Sequence, residues 1–115
     1  MKISEFSAVT GLSPHTLRYY EKIGLITNVK RDPAGIRSYR SADAEWIEWI
    51  ACLKTAGMTI KTIKQYSRLR DVGNTAARAA LLEEHVHATE KRLREMESNL
   101  AVSRRKLAGL LKHLT

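Results

Sequence analysis

Within the segment TLRYYEKIGLI, Arg18, Tyr19 and Tyr20 stand in a row, and two adjacent tyrosines on a helix cannot both face the same small core. With a helical repeat of about 3.6 residues, Leu17 and Tyr20 share one face, which continues into Ile23, Leu25 and Ile26. His15, Arg18, Tyr19 and Lys22 follow the i, i+3, i+4, i+7 spacing on another face, with Thr16 beside them. Tyr20 is then a core plug, and Tyr19 an outward phenol between two cations. Arginine and lysine neutralise phosphates, and a phenol adds a hydrogen bond and a ring that stacks on sugars, so the chemistry on offer is a grip on a nucleic-acid backbone. A solvated basic face carrying a stray tyrosine has the same pattern.

A second basic and aromatic stretch, TNVKRDPAGIRSYR, occupies residues 27 to 40. Asp32-Pro33-Ala34-Gly35 is turn chemistry, and strand alternation after it predicts Arg37 and Tyr39 on one face with Ile36 and Ser38 on the other. Such a hairpin reads as a wing gripping the backbone beside a groove. Further on, Lys61, Lys64 and Arg68 recur on the outward side of a predicted helix, where they either reach a phosphate or simply face solvent.

Other chemistries find little support. No nucleophile and base, carboxylate pair or phosphate-binding loop is recognisable, so an enzyme is not expected. Four histidines and one cysteine lack zinc spacing, and His85, His87 and His113 read as surface residues of a helix; neither a metal nor a cofactor is predicted. The single cysteine, Cys52, excludes an internal disulfide and suits a reducing cytoplasm. Its sulfur shares a helix side with Glu45 and Glu48 near the carboxy-terminal end, a setting that disfavours a reactive anion. The plain expectation is a small hydrophobe wedged beside Trp49. No signal peptide is visible and the longest apolar run, Trp49 to Leu53, is too short for a bilayer, so the expectation is a soluble cytoplasmic protein without a membrane partner.

The elements that must position these residues are short helices followed by one long one. The chain has 115 residues, 43% of them apolar, enough for one compact core, and its formal net charge of +8 favours a polyanionic partner. Residues 1 to 70 hold 12 Lys and Arg against 6 Asp and Glu, whereas 71 to 115 hold 8 against 6, so the binding surface is expected in the first part. Ser4 is predicted to cap a first helix reaching Thr10, with Phe6 and Val9 inward and Gly11 ending it. Ser13 and Pro14 then start the helix that carries Arg18, giving helix-turn-helix proportions. Ser41 and Asp43 open a third helix with Trp46, Ile47, Ile50 and Leu53 inward, and Trp49 and Ala56 widen its apolar arc toward a second cover. Thr59 caps a fourth with Ile60, Ile63 and Tyr66 inward.

Residues 71 to 74 form the linker, after which Thr75 is expected to cap a helix running over 75 to 115. From Ala79, the positions Leu82, Val86, Thr89, Leu93, Met96, Leu100, Ser103, Leu107, Leu110 and Leu114 recur at alternating steps of three and four. Such a helix is roughly 60 Å long, more than a core of seventy residues can cover. The simplest cover for its apolar stripe is a second copy of the chain, giving a homodimer through a coiled coil; a single amphipathic helix folded on its own domain is the alternative.

These pieces resemble the MerR family of bacterial transcription regulators: TGLSPHTLRYYEKIGLI, the wing GIRSY, AGMTIKTIKQY, and then the long helix, together covering essentially the whole chain. Two departures stand out, Thr27-Asn28 where a proline is usual and Ile36 where an aromatic is usual. The resemblance implies a mainly α protein: a winged helix-turn-helix DNA-binding domain over 1 to 70 followed by a long dimerising coiled-coil helix, antiparallel in the pair. It further implies a regulator that sits on a pseudopalindromic promoter site beside RNA polymerase and activates by bending and untwisting an over-long spacer. By carry-over Arg18, Tyr19, Tyr20, Arg37 and Tyr39 touch double-stranded DNA. Family members add an effector element after the long helix, which a chain stopping at Thr115 is expected to lack. EWIEWIACLKTAGM also resembles the branch responding to aldehydes and other electrophiles through one cysteine in the third helix, which makes Cys52 an effector candidate in a stress response. Two other functions stay open on the residues: an architectural or recombination accessory protein that bends DNA, and a coiled-coil interaction protein with incidental charge.

Overall fold

The computed structural model describes residues 1–115, as five helices and a two-stranded hairpin. The order is α1 (Ile3–Thr10), α2 (Pro14–Lys22), β1 (Lys30–Arg31), β2 (Arg37–Ser38), α3 (Ser41–Thr55), α4 (Ile60–Asp71) and α5 (Thr75–Lys112). The expected mainly helical architecture, with a wing after the second helix and a long terminal helix, is what forms. Two compact units divide between Ala79 and Ala80, within α5.

Helix α1 begins two residues earlier than a Ser4 cap would place it. Lys2 takes the N-cap position without a side-chain bond, because Met1 is already fixed: its nitrogen donates to the Tyr39 carbonyl at 2.6 Å, and the Tyr39 amide donates back to the Met1 carbonyl at 2.7 Å. Phe6 is fully buried, but Val9 is 55% exposed, not inward. The inward side of this short helix is the buried Phe6 with the half-buried Ile3 and Thr10, which leaves Val9 on the far side. Gly11 closes the helix at φ 73°, a left-handed conformation in which glycine carries no Cβ penalty. Ser13 then caps α2 as its sequence predicts, its Oγ accepting from the Thr16 amide at 3.1 Å, with Pro14 in the first turn.

The core of this unit is built by Phe6, Leu17, Leu25, Ile26, Ile47, Ile50, Leu53 and Ile63, each with at most 2% of its surface exposed. Each such side chain contributes about 1.5–3 kcal/mol by leaving water. Trp46 lies at the rim of this core and does a polar job. Its Nε1 donates to the Leu25 carbonyl at 2.9 Å, while the Arg70 guanidinium lies 3.7 Å from its ring centroid. The same guanidinium donates to Thr27 Oγ1 at 3.3 Å, and the Thr27 hydroxyl donates to Asp71 at 2.9 Å. The exit of α2 is thereby tied to α3 and to the end of α4. Thr27, one of the two departures from the family pattern, supplies a bond that proline cannot; Asn28 follows at φ 58°, a conformation asparagine tolerates better than most residues.

Thr59 caps α4, accepting from the Thr62 amide at 3.2 Å. At α5 the cap is Asn74, not Thr75: its Oδ1 accepts from the Ala77 amide at 3.1 Å. Asparagine satisfies this position at least as well as threonine, and Thr75 becomes the first helical residue. Helix α5 is 38 residues long and has no buried residue. It ends at Lys112, so Leu114, expected as its last apolar position, falls in the turn beyond.

Candidate nucleic-acid interface

Helix α2 separates its two tyrosines as the helical spacing requires. Tyr20 is 8% exposed and Tyr19 is 47% exposed, with ring centroids 6.3 Å apart. His15, Arg18 and Lys22 are exposed with Tyr19, and Thr16 is half-buried because its hydroxyl is engaged by Ser13 at 3.0 Å. Neither Arg18 nor Lys22 is committed to an ion pair. An exposed face with free cations and a free phenol is the arrangement that phosphate contacts need.

The wing lies against the same helix. Strands β1 and β2 pair antiparallel, Lys30 opposite Ser38 and Arg31 opposite Arg37. Asp32 organises the tip: its carboxylate accepts from the Ala34 and Ile36 amides at 2.9 Å each, an Asx turn that lets Gly35 take φ 80°. Arg31 and Arg37 would repel across the ladder, and Glu21 of α2 reconciles them, 2.5 Å from Arg37 Nε and 3.8 Å from Arg31. The hydrogen bond that Arg37 donates to Glu21 raises the Arg37 pKa above its ordinary value, against the opposing effect of desolvation.

Tyr39 departs from its expected place on the wing face. It is 2% exposed and stacks on Phe6 with centroids 4.2 Å apart and planes 4° from parallel, and its hydroxyl has no hydrogen-bond partner. The alternation that should present it beside Arg37 ends with β2 at Ser38, and the exchange of backbone bonds with Met1 turns the ring inward. Burial, and then the nearby Glu21 charge, raise its pKa above the usual phenol value, while Arg37, Arg18 and Arg31 act on it in the opposite sense. That one phenol feels cations from both α2 and the wing shows how closely the two elements converge. Lys61 is exposed in the first turn of α4.

Glu21 was not singled out by the sequence reading, although a lone acid inside a basic helix is a visible signal. Lys54 was missed as well: its Nζ donates to Tyr20 Oη at 3.3 Å, across 34 residues of chain, and no local pattern announces that contact. Cys52 is exposed, which corrects the expectation of a sulfur wedged beside Trp49. Asp43, Ala44, Ile47, Ile50 and Leu53 form the buried side of α3, and Cys52 lies with Glu45 and Glu48 on the other. Trp49 instead donates its Nε1 to Tyr66 Oη at 3.3 Å.

A sequence profile described as MerR HTH family regulatory protein matches residues 1–69, which contain both the helix-turn-helix and the wing. The chain belongs to the MerR family of helix-turn-helix regulators. Among relatives, the HTH-type transcriptional regulator AdhR of Bacillus subtilis (strain 168) is 42% identical over 79 residues, 69% of this chain and 56% of that protein. The chain therefore spans little more than half of AdhR. An uncharacterized HTH-type transcriptional regulator of Haemophilus influenzae is 34% identical over 100 residues, 85% of this chain and 74% of the relative. The crystal structure of HiNmlR, a MerR family regulator lacking the sensor domain and bound to promoter DNA, superposes with a TM-score of 0.87 at 30% identity, covering 93% of this chain and 86% of that one. No helix of this MerR family member is long and apolar enough to cross a membrane.

Proposed function

We propose that this MerR family protein acts as a homodimeric regulator that grips promoter DNA with two copies of the α2–wing surface and distorts it, altering access by RNA polymerase. The observation that carries the reading is the exposed set Arg18, Tyr19 and Lys22 on α2, beside Arg31 and Arg37 of the wing. The promoter complex of HiNmlR supports it. His15 and Thr16 of α2 and the exposed Lys61 of α4 are proposed as further contacts, with the largely buried Tyr20 a lesser one. Because the grip is mainly on phosphates, sequence preference comes partly from how easily a site deforms. The bending and untwisting of an over-long spacer belong to the same proposal. Arg18→Ala tests it: duplex affinity should fall and the salt dependence should flatten by about one phosphate per lobe. Unchanged affinity would favour the reading as a coiled-coil interaction protein, whereas a binding site lying away from any promoter would favour an architectural role.

Cys52 is the proposed effector site. It is the protein's sole thiol and it is solvent-exposed, so an electrophile can reach it. Addition of the sulfur to an aldehyde carbon, with the C=O π bond breaking and the thiol proton passing to the carbonyl oxygen to give a hemithioacetal, would enlarge the outward side of α3. Promoter output of the wild type and Cys52→Ala is then compared under formaldehyde or methylglyoxal. A response confined to the wild type is expected, and equal responses would dispose of the sensor.

A further inference from the structure

Thr27 stands past the exit of α2, and its hydroxyl is used in both directions. It donates to Asp71 Oδ1 at 2.9 Å and accepts from Arg70 Nη2 at 3.3 Å. The same Nη2 lies 3.4 Å from Asp71 Oδ1, so the three side chains close a ring, and the Trp46 indole lies 3.7 Å from the guanidinium that completes it. Asp71 is the last residue of α4. A carboxylate in that position is opposed by the helix dipole, so α4 itself gains nothing from it. Its return is the bond to Thr27, 44 residues away in the chain.

Beyond Asp71 the chain reaches α5 in three residues, and each of their backbone amides is bonded. Val72 donates to the Arg68 carbonyl at 3.1 Å, Gly73 to that of Arg70 at 3.1 Å, and Asn74 to that of Leu69 at 2.9 Å, with Gly73 at φ 73° as the left-handed residue of the closure. Asn74 then caps α5. The α4–α5 junction is therefore stiff in itself. Helix α2 packs on α1 and α4 packs on α3, so the Thr27 hydroxyl is the link by which the exit of α2 is tied to that junction.

We infer that Thr27, with Asp71 and Arg70, is a positioning residue for DNA distortion: the ring holds α2 at a fixed attitude to the α4–α5 junction, and so sets the half-site separation that a dimer accepts. This rests on the proposed dimeric regulator and adds to it residues that touch no DNA. A two-lobed binder gains from effective concentration only at separations its joints allow, and it bends a duplex only as far as its joints resist the strain. Loosening the joint should widen the separations accepted and lessen the bend, with the grip of each lobe preserved.

The test compares Thr27→Val, which keeps the shape and deletes the hydroxyl, Thr27→Ser, which keeps the hydroxyl, Asp71→Ala, and Thr27→Val combined with Asp71→Ala. The probes are a duplex that the wild type selects from a random pool, its isolated half-site, and versions whose half-sites are shifted in single base pairs. Dyes at the duplex ends report the bend by energy transfer. Thr27→Val and Asp71→Ala should each lose about fivefold on the selected duplex, keep wild-type affinity for the half-site, discriminate less between separations, and bend the duplex less. Thr27→Ser should behave as the wild type. The double variant should lose no more than either single one, because the side chains belong to one ring. A ring that only stabilises the fold predicts instead a lower melting temperature with equal losses on the half-site and at every separation. That pattern, or a wild-type separation profile in both Thr27→Val and Asp71→Ala, would overturn the inference and leave the regulator intact. A wild type that gains nothing from the second half-site would overturn the dimeric regulator, and the inference with it.

Discussion

At the scale of single residues, Tyr39 shows how a side chain of the right type can serve a binding surface from inside. Its ring braces the wing against Phe6 at 4.2 Å, and its hydroxyl is buried without a partner. A buried polar group left unpaired costs about 1–3 kcal/mol. Tyr39→Phe should therefore keep or raise the melting temperature, while truncation to alanine should lose about 3 kcal/mol or more. The pH dependence follows from the raised phenol pKa. A group whose pKa is higher folded than unfolded contributes stability below its unfolded value, here about 10, and loses it as pH rises through the folded value. Melting curves taken from pH 8 to 11 should show an alkaline decline in the wild type that is smaller in Tyr39→Phe. Sequence told which aromatics were present but not which would turn inward. For Tyr19 and Tyr20 the helical period decides it; for Tyr39 the decision belongs to Met1, 38 residues away, and no local alternation contains that.

At the scale of elements, the helices were legible because caps and spacing act locally: Ser13, Pro14, Gly11 and Thr59 each do what their chemistry allows. The wing is different. With two residues per strand it has almost no ladder of its own, and it places Arg31 directly across from Arg37. Its stability must come from outside, and Glu21 of α2 is the contact that supplies it. Glu21→Gln should leave the helical core folded but loosen the hairpin. Amide exchange at Arg31 and Arg37 should accelerate several-fold, with a change in global stability of about 1 kcal/mol or less, because the pair is partly exposed and screened. Equal protection in variant and wild type would show that the turn at Asp32 suffices. Trp46 offers the complementary case. Replacing it with phenylalanine deletes the bond to the Leu25 carbonyl and weakens the platform for Arg70, so chemical denaturation should report a loss of about 1–2 kcal/mol.

For the whole molecule, the decisive feature is a 38-residue helix without a buried side chain. Val86, Leu93, Met96, Leu100, Leu107 and Leu110 are all more than 40% exposed in the single chain, and they fall on the heptad positions read from sequence. A helix of this kind gains little from propensity alone and needs a packed face to persist in water. The periodicity was legible in the sequence because it is a property of one chain, whereas the occupant of the stripe is a property of two. If a second copy covers it, folding and association become linked, and the melting temperature must rise with protein concentration. Sedimentation should give twice the 13.0 kDa chain mass for the wild type. Leu93→Glu with Leu100→Glu places two carboxylates in the seam at successive equivalent heptad positions, where each would face desolvation without a cation to pair with. That variant should sediment at the chain mass, lose the concentration dependence, and bind an operator far more weakly than the wild type, since two lobes joined in one body bind with the advantage of effective concentration. Binding to an isolated half-site should change little, because the Arg18 surface lies in the other compact unit. A variant that still sediments at twice the chain mass would move the dimer interface away from this stripe, and one that loses half-site binding as well would show that α5 is needed to keep the amino-terminal unit folded.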